Sequence, residues 1–107
     1  MSANMIRADF RRGEQGFVSV RVGGHAGFAP DGEDIVCAGV TSAVMLTANA
    51  VTEILKENAH VDLAENEVVI ALPQQPTGAA SAFLQALHLH LTLLQQQYPR
   101  HITITEV

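Results

Sequence analysis

The sequence predicts an α+β fold, a two-layer sandwich in which a mostly antiparallel sheet carries two helices on one face. Two observations lead to this prediction. Apolar and polar residues alternate in short segments near both termini, as in half-buried strands, and apolar residues recur every three or four positions in two long segments, as in helices. The segments follow the order β-β-α-β-α-β over 107 residues, so we expect a single domain spanning residues 1–107.

The first two predicted strands form a hairpin. Apolar and polar residues alternate over residues 5–12 and again over residues 17–22, and the glycines of residues 13–16 indicate a turn between them. Residues 23–33 then have no periodicity and contain four of the eight glycines. A segment with so much backbone freedom loses entropy when it becomes ordered, so we expect a loop that binds something or moves.

The first helix is predicted from Ile35 to about Glu57, and Asp34 stands where an N-cap is expected. One face carries apolar residues and a threonine at helical spacing: Val36, Val40, Val44, Thr47, Val51 and Leu55. The first four turns carry no charge. A helix that is apolar nearly all round is buried, either by its own domain or by a second subunit.

The remaining elements complete the predicted order. Residues 60–72 are typical of a strand, bent or folded into a hairpin near residue 65. Residues 77–97 have the apolar stripe of a second helix, which ends before Pro99. Residues 102–105 alternate as a final strand.

Composition excludes several classes of protein. The net charge is −5, and no run of Lys or Arg exceeds the pair Arg11-Arg12, so we expect neither direct nucleic-acid binding nor a basic helix on a membrane surface. Uninterrupted apolar stretches are too short to cross a bilayer, and residues 1–7 resemble no export signal. A lone cysteine, Cys37, excludes an intrachain disulfide. We therefore expect a soluble, cytoplasmic protein.

Cys37 and His25 are the candidate catalytic pair. If Asp34 caps the helix, Cys37 lies in the first turn, where the partial positive charge favours a thiolate. His25 lies on the glycine-rich loop and can fold back over that helix end, which would give the ion pair of a cysteine hydrolase. The simpler alternative is a small buried cysteine beside a solvent-facing histidine.

Metal binding is not expected. His88 and His90 are two residues apart on a predicted helix and point away from each other, so we interpret them as solvated or interface residues. The acidic residues Asp31, Glu33 and Asp34 offer too few ligands for a calcium loop. We expect no cofactor.

The strings Gly24-His25-Ala26-Gly27 and Gly32-Glu33-Asp34-Ile35-Val36-Cys37-Ala38 resemble the Prp family, the ribosomal-processing cysteine proteases of Firmicutes and related bacteria. The family pattern is G-H-A-G, a short gap, then G-x-D-I-V-C-A-A-[VI]-S. The order and length of the predicted elements also fit this family. The chain departs from the pattern at Gly39, where the family has alanine, and at Thr41, where it has serine.

The resemblance implies a small homodimeric peptidase that removes a short N-terminal extension from a large-subunit ribosomal protein. The catalytic histidine of the family falls on His25, its nucleophile on Cys37 and its aspartate on Asp34. We expect support from Ala38 and Thr41, and a substrate loop that includes Gly24, Gly27, Phe28 and Gly32.

In the expected mechanism, the Cys37 thiolate attacks the scissile carbonyl, and His25 protonates the leaving amine and then activates water. Backbone N–H groups of Cys37 and Ala38 are the candidates for an oxyanion hole. The alternative functions are a non-catalytic, ribosome-associated binding module and a thiol redox sensor. Leu89 and Leu93 lie off the core stripe of the second helix, which favours a homodimer.

Overall fold

The structure, a computed structural model, describes residues 5–24, 33–64 and 66–107, with the side chains of Glu33 and Asp34 left undescribed. The described strands and helices are β1 (Ile6–Gly13), β2 (Gly16–Gly23), α1 (Glu33–Asn49), β3 (His60–Ala64), β4 (Glu67–Ala71), α2 (Gly78–Gln97) and β5 (Ile102–Glu106). A π-helical segment, Ala50–Ile54, continues α1.

The strands form a mixed sheet in the order β3-β4-β2-β1-β5. Neighbouring strands are antiparallel except β1 and β5, which are parallel. The α+β fold is confirmed. The order β-β-α-β-α-β was wrong in one detail, because residues 60–72 contain two strands joined by a tight turn. Val61 pairs with Ile70 and Leu63 with Val68, so these four apolar residues lie on one side of the hairpin, while Val69 lies on the other.

Both helices pack on the same face of the sheet. The core joins alternate residues of the strands to one side of each helix, and its fully buried large members are Ile6, Phe10, Val20, Val36, Val44, Val51, Ile70, Leu84, Leu91 and Ile102. The opposite face carries charged residues. Arg7 lies 3.8 Å from Asp9, and Arg21 lies 3.7 Å from Glu67. The position of the helices on one face is what gives the two layers expected from the sequence.

Helix α1 begins at Glu33, so the prediction that Asp34 is the N-cap was wrong. Asp34 is the second helical residue, inside the first turn. In an α-helix each N–H bonds the carbonyl four residues earlier, which pairs the N–H of Cys37 with Glu33 and that of Ala38 with Asp34. Intrahelical acceptors for these two N–H groups argue against the oxyanion hole expected from them. The apolar periodicity begins only at Ile35 and therefore hides the first turn.

The far end of this helix differs from a regular α-helix. In the π-helical segment the Leu55 N–H donates to the Ala50 carbonyl. The Glu57 N–H then donates to the Val51 carbonyl, at an N···O distance of 3.0 Å. Lys56 lies between them with a φ of 54°, in the left-handed region. The helical segment thus ends at Ile54, slightly earlier than the apolar pattern predicts, because the chain reverses direction at Lys56.

Among the described residues, one helical segment, Ile35–Ile54, is long enough and apolar enough to cross a membrane, judged by length and composition alone. The expectation concerned uninterrupted apolar stretches, and this segment is interrupted by threonine, serine and asparagine and, near its end, by the charged Glu53. Val36, Val40 and Val44 are buried against the sheet, as in the core helix of a globular domain.

Candidate active site

Cys37 lies on α1 at one end of the sheet. Its side chain is half-buried and packs against the core. It lines a cavity of about 260 Å³ between α1 and the strands. The cavity walls are mainly apolar and include Ile6, Val22, Val40 and Val68. An apolar cleft can hold an extended peptide, and the thiol beside it is then placed to act as a nucleophile.

Three polar residues lie on the rim of the Cys37 cavity. Thr41 follows Cys37 by about one helical turn and lines the same cavity, and the supporting role expected for it stays a prediction. Asn66 and Glu67 reach the cavity from the β3–β4 turn. The sequence reasoning missed these two, because the contact between residues 37 and 66 depends on how the hairpin docks and has no local signal. Ala38 is exposed on α1 next to Cys37.

Gly24 is the last described residue before the predicted catalytic histidine. It directly follows β2 and has a φ of 90°, at the end of the sheet where the Cys37 cavity lies. His25 follows it directly in the chain. His25, Gly27, Phe28 and Gly32 lie outside the described residues, as does the side chain of Asp34. The structure thus brings Cys37, Thr41 and Gly24 to one end of the sheet. The pairing of Cys37 with His25 stays a prediction.

His88 differs from the solvated or interface residue expected from the sequence. Its ring stacks on Phe17 at 5.0 Å and meets the edge of Phe10 at 4.9 Å. Its Nε2 atom lies 3.0 Å from a carboxylate oxygen of Glu106. The sequence pattern missed this role because both aromatic partners are on strands distant in the chain. His90 is exposed, in agreement with the expectation.

Potential metal ligands do not cluster in the part of the chain that the structure describes. No three His, Cys, Asp or Glu residues lie close enough there to hold an ion.

Comparison with known proteins agrees with this geometry. The family model described as "Cysteine protease Prp" matches residues 5–103. Ribosomal processing cysteine protease Prp of Bacillus subtilis is 30% identical in an alignment over 108 residues that covers 94% of this chain and 96% of that protein.

Solved structures show the same fold. The crystal structure of an essential ribosomal processing protease Prp from S. aureus with a substrate peptide has a TM-score of 0.87 at 22% identity, and covers 96% of this chain and 100% of that one. A Streptococcus mutans protein has a TM-score of 0.87 at 25% identity, covering 97% and 98%. With the family match extending over nearly the whole described chain and the lone thiol lining its cavity, this chain belongs to the Prp family of cysteine proteases.

Proposed function

We propose that this chain is a cytoplasmic endopeptidase that removes a short N-terminal extension from a large-subunit ribosomal protein. The observation that carries the proposal is the position of Cys37, the lone thiol, in an apolar cavity at the end of the sheet. The names of the Bacillus and Staphylococcus proteins, which describe ribosomal processing, support the choice of substrate.

The mechanism uses Cys37 as nucleophile and His25 as acid and base. The Cys37 thiolate attacks the scissile carbonyl carbon and forms a thioester as the peptide C–N bond breaks. The imidazolium of His25 gives its proton to the leaving amine. Neutral His25 then takes a proton from water, whose oxygen attacks the thioester and releases the carboxylate product and the thiolate.

Oxyanion stabilisation needs N–H groups that are not already bonded. Because α1 begins at Glu33, the groups without an intrahelical acceptor are those of the first turn, Glu33 to Ile35. We assign the oxyanion hole to this turn rather than to Cys37 and Ala38. The positive end of the helix dipole stabilises an oxyanion there, whereas Cys37, the fifth helical residue, lies beyond the first turn.

The substrate side chain that enters the cavity is apolar. The walls contributed by Ile6, Val22 and Val68 are apolar and favour an apolar side chain, while the acidic Glu67 at the rim disfavours a carboxylate. Thr41 at the rim offers a hydroxyl to the peptide backbone. Phe28, in the loop that follows Gly24, is a further candidate contact for an apolar or aromatic substrate side chain.

Replacing Cys37 tests the proposal. Cys37→Ala and Cys37→Ser are expected to abolish cleavage of a synthetic peptide that carries the N-terminal segment of the host ribosomal protein, while circular dichroism stays unchanged. His25→Ala is expected to do the same, because proton transfer is lost. His60→Ala, on the exposed edge strand β3, is the matched control and retains cleavage. Ordinary turnover by Cys37→Ala would refute catalysis by this thiol.

Alkylation separates proteolysis from the alternative functions. If wild-type Cys37 reacts with iodoacetamide well below the pH that an ordinary thiol needs, yet no peptide is cleaved, a redox sensor replaces the protease. If Cys37 reacts as an ordinary thiol and no peptide is cleaved, the result favours a non-catalytic binding module over a protease.

We also propose that the protein acts as a homodimer through the outer surface of its two helices. Five large apolar side chains on the helical segments remain exposed: Ile35, Leu46, Ile54, Leu89 and Leu93. Between α1 and α2 lies a groove of about 530 Å³, lined in part by Gly39, Leu46, Phe83 and His90. So large an apolar surface favours association, and a second copy offers the same apolar side chains to fill the groove.

A further inference from the structure

Two consecutive glycines at the end of β2 contact neighbouring segments through backbone alone. A Cβ on Gly23 would lie 2.7 Å from the carbonyl oxygen of Asn66, and one on Gly24 would lie 2.9 Å from the carbonyl oxygen of Met5. Both distances are too short for contact between carbon and oxygen. Because backbone oxygens in a folded sheet cannot turn aside as a side chain does, an L side chain at either position displaces a segment of chain.

Gly24 has a second requirement. Its φ of 90° lies in the region that L residues rarely adopt and glycine adopts freely. The chain leaves the sheet in this conformation, and the next residue is His25. The direction in which His25 departs from β2 therefore depends on the conformation of Gly24.

Both contacts border the Cys37 cavity. Asn66, which Gly23 contacts, lines the cavity, and so does Ile6, which directly follows Met5. Val22, directly before Gly23, forms another wall. A displacement of Asn66 or Met5 therefore moves a wall of the cavity relative to Cys37.

We propose that Gly23 and Gly24 are positioning residues for proteolysis by this chain. Gly23 lets the β3–β4 turn close on the end of β2 and so sets the width of the cavity that holds the substrate. Gly24 sets the direction in which the chain continues to His25. The inference rests on the proposed function, since it assigns these glycines to the same site, and neither glycine touches the reacting atoms.

The role of Gly24 is tested by comparing two alanines of opposite hand. Gly24→Ala is expected to lower kcat at least about tenfold, because a strained backbone misplaces His25. Gly24→D-Ala, for which φ of 90° is the favoured mirror-image region, is expected to retain kcat within about threefold. The D-residue is introduced by joining synthetic residues 1–36 to residues 37–107 at Cys37. Equal loss in both variants, or none in Gly24→Ala, would overturn the role of this conformation.

The role of Gly23 is tested against a glycine at the far end of the same hairpin. Gly23→Ala is expected to raise KM at least about threefold with a smaller change in kcat, because the cavity wall at Asn66 shifts. Gly13→Ala is the control, since its Cβ would lie 2.6 Å from Val18 Cγ1 and it stands at the other end of β1 from Ile6. The control is expected to lose stability without a change in kcat or KM.

Iodoacetamide provides a readout that does not depend on cleavage. The rate at which it alkylates Cys37 is expected to change at least about threefold in Gly23→Ala and not in Gly13→Ala, since only Gly23 borders the cavity. An unchanged alkylation rate and KM in folded Gly23→Ala would overturn the inference. Absence of cleavage by the wild-type protein would instead refute the proposed function, and the alkylation rates would still decide the role of Gly23.

Discussion

At the scale of single residues, the site combines a thiol whose surroundings are apolar with polar groups at its rim. Thr41 and Asn66 can contact peptide backbone, while the walls next to the Cys37 side chain are mainly apolar. Gly39, where the family pattern has alanine, faces away from this cavity. A Cβ there would meet only Leu94 Cδ1, at 3.9 Å, which is ordinary contact. This departure therefore leaves the site unchanged.

Glu106 joins three elements at the opposite end of β1. Its carboxylate accepts a hydrogen bond from Arg12 Nε at 2.8 Å and lies 3.0 Å from His88 Nε2. The guanidinium of Arg12 also stacks over Phe17, 4.3 Å from the ring centroid. The hydrogen bond from Arg12 holds the pKa of Glu106 below its ordinary value of 4.5.

The lowered pKa of Glu106 predicts a pH-dependent contribution to stability. Because the folded state favours the carboxylate, the contribution is present above pH 4.5 and is lost as the pH falls through the lower, folded-state pKa. Glu106→Gln is therefore expected to melt below the wild type at pH 7, with the difference vanishing in acid. Thermal melts from pH 7 to pH 3 measure this, with Glu14→Gln, in the exposed β1–β2 turn, as control. A difference that is constant with pH would contradict the prediction.

At the scale of elements, α1 is the helix that connects the site to the core. Its buried side, from Val36 to Val51, holds Cys37 at a fixed height above the sheet. Its start at Glu33 adds two helical residues before the predicted start at Ile35, and its end widens into a π-helical segment before the chain reverses at Lys56. The two ends of this helix are therefore where its geometry departs from what apolar spacing alone predicts.

Lys56 offers a test of how the helix ends. A non-glycine residue with a φ of 54° is strained, and glycine adopts this conformation without a steric cost. Lys56→Gly is expected to raise the free energy of unfolding by up to about 1 kcal/mol, the relief of strain being partly offset by the entropy of the unfolded chain. Urea denaturation measures the change. Glu53→Gly, inside the π-helical segment, is the control and is expected to destabilise.

At the scale of the whole molecule, one sheet face carries both helices and the other is polar. The exposed apolar residues of the helices therefore lie on the outside of the helical layer, where only another molecule can cover them. A net charge of −5 is small enough to allow association of this apolar surface.

The proposed dimer predicts a measurable mass. Sedimentation equilibrium at micromolar concentration is expected to give a species of twice the 11.4 kDa chain mass. Leu89→Glu should shift the equilibrium to monomer, since it places a charge in the apolar face. Leu63→Glu is the matched control, because Leu63 is 60% exposed and Leu89 59%, but Leu63 lies on strand β3. A wild-type monomer, or equal effects of both variants, would refute the proposed interface.

The sequence by itself determined the features that depend on local spacing. Alternation over residues 5–12 and 17–22 predicts the β1–β2 hairpin, and the apolar stripe of residues 77–97 predicts α2, because side-chain period follows directly from backbone geometry. The short string around Cys37 is contiguous, so the family resemblance can be recognised from the sequence before the fold is known. The catalytic assignment to His25 also comes from that string and stays a prediction.

Only the tertiary structure decided how these elements meet. The parallel pairing of β5 with β1 joins the two ends of the chain, and no local pattern encodes it. The approach of Asn66 to Gly23 and to the Cys37 cavity likewise depends on the docking of the β3–β4 hairpin. His88 has the polarity of a surface residue but is half-buried between aromatic rings of two strands. In each case the deciding contact joins residues far apart in sequence, and its energy comes from packing that periodicity cannot reveal.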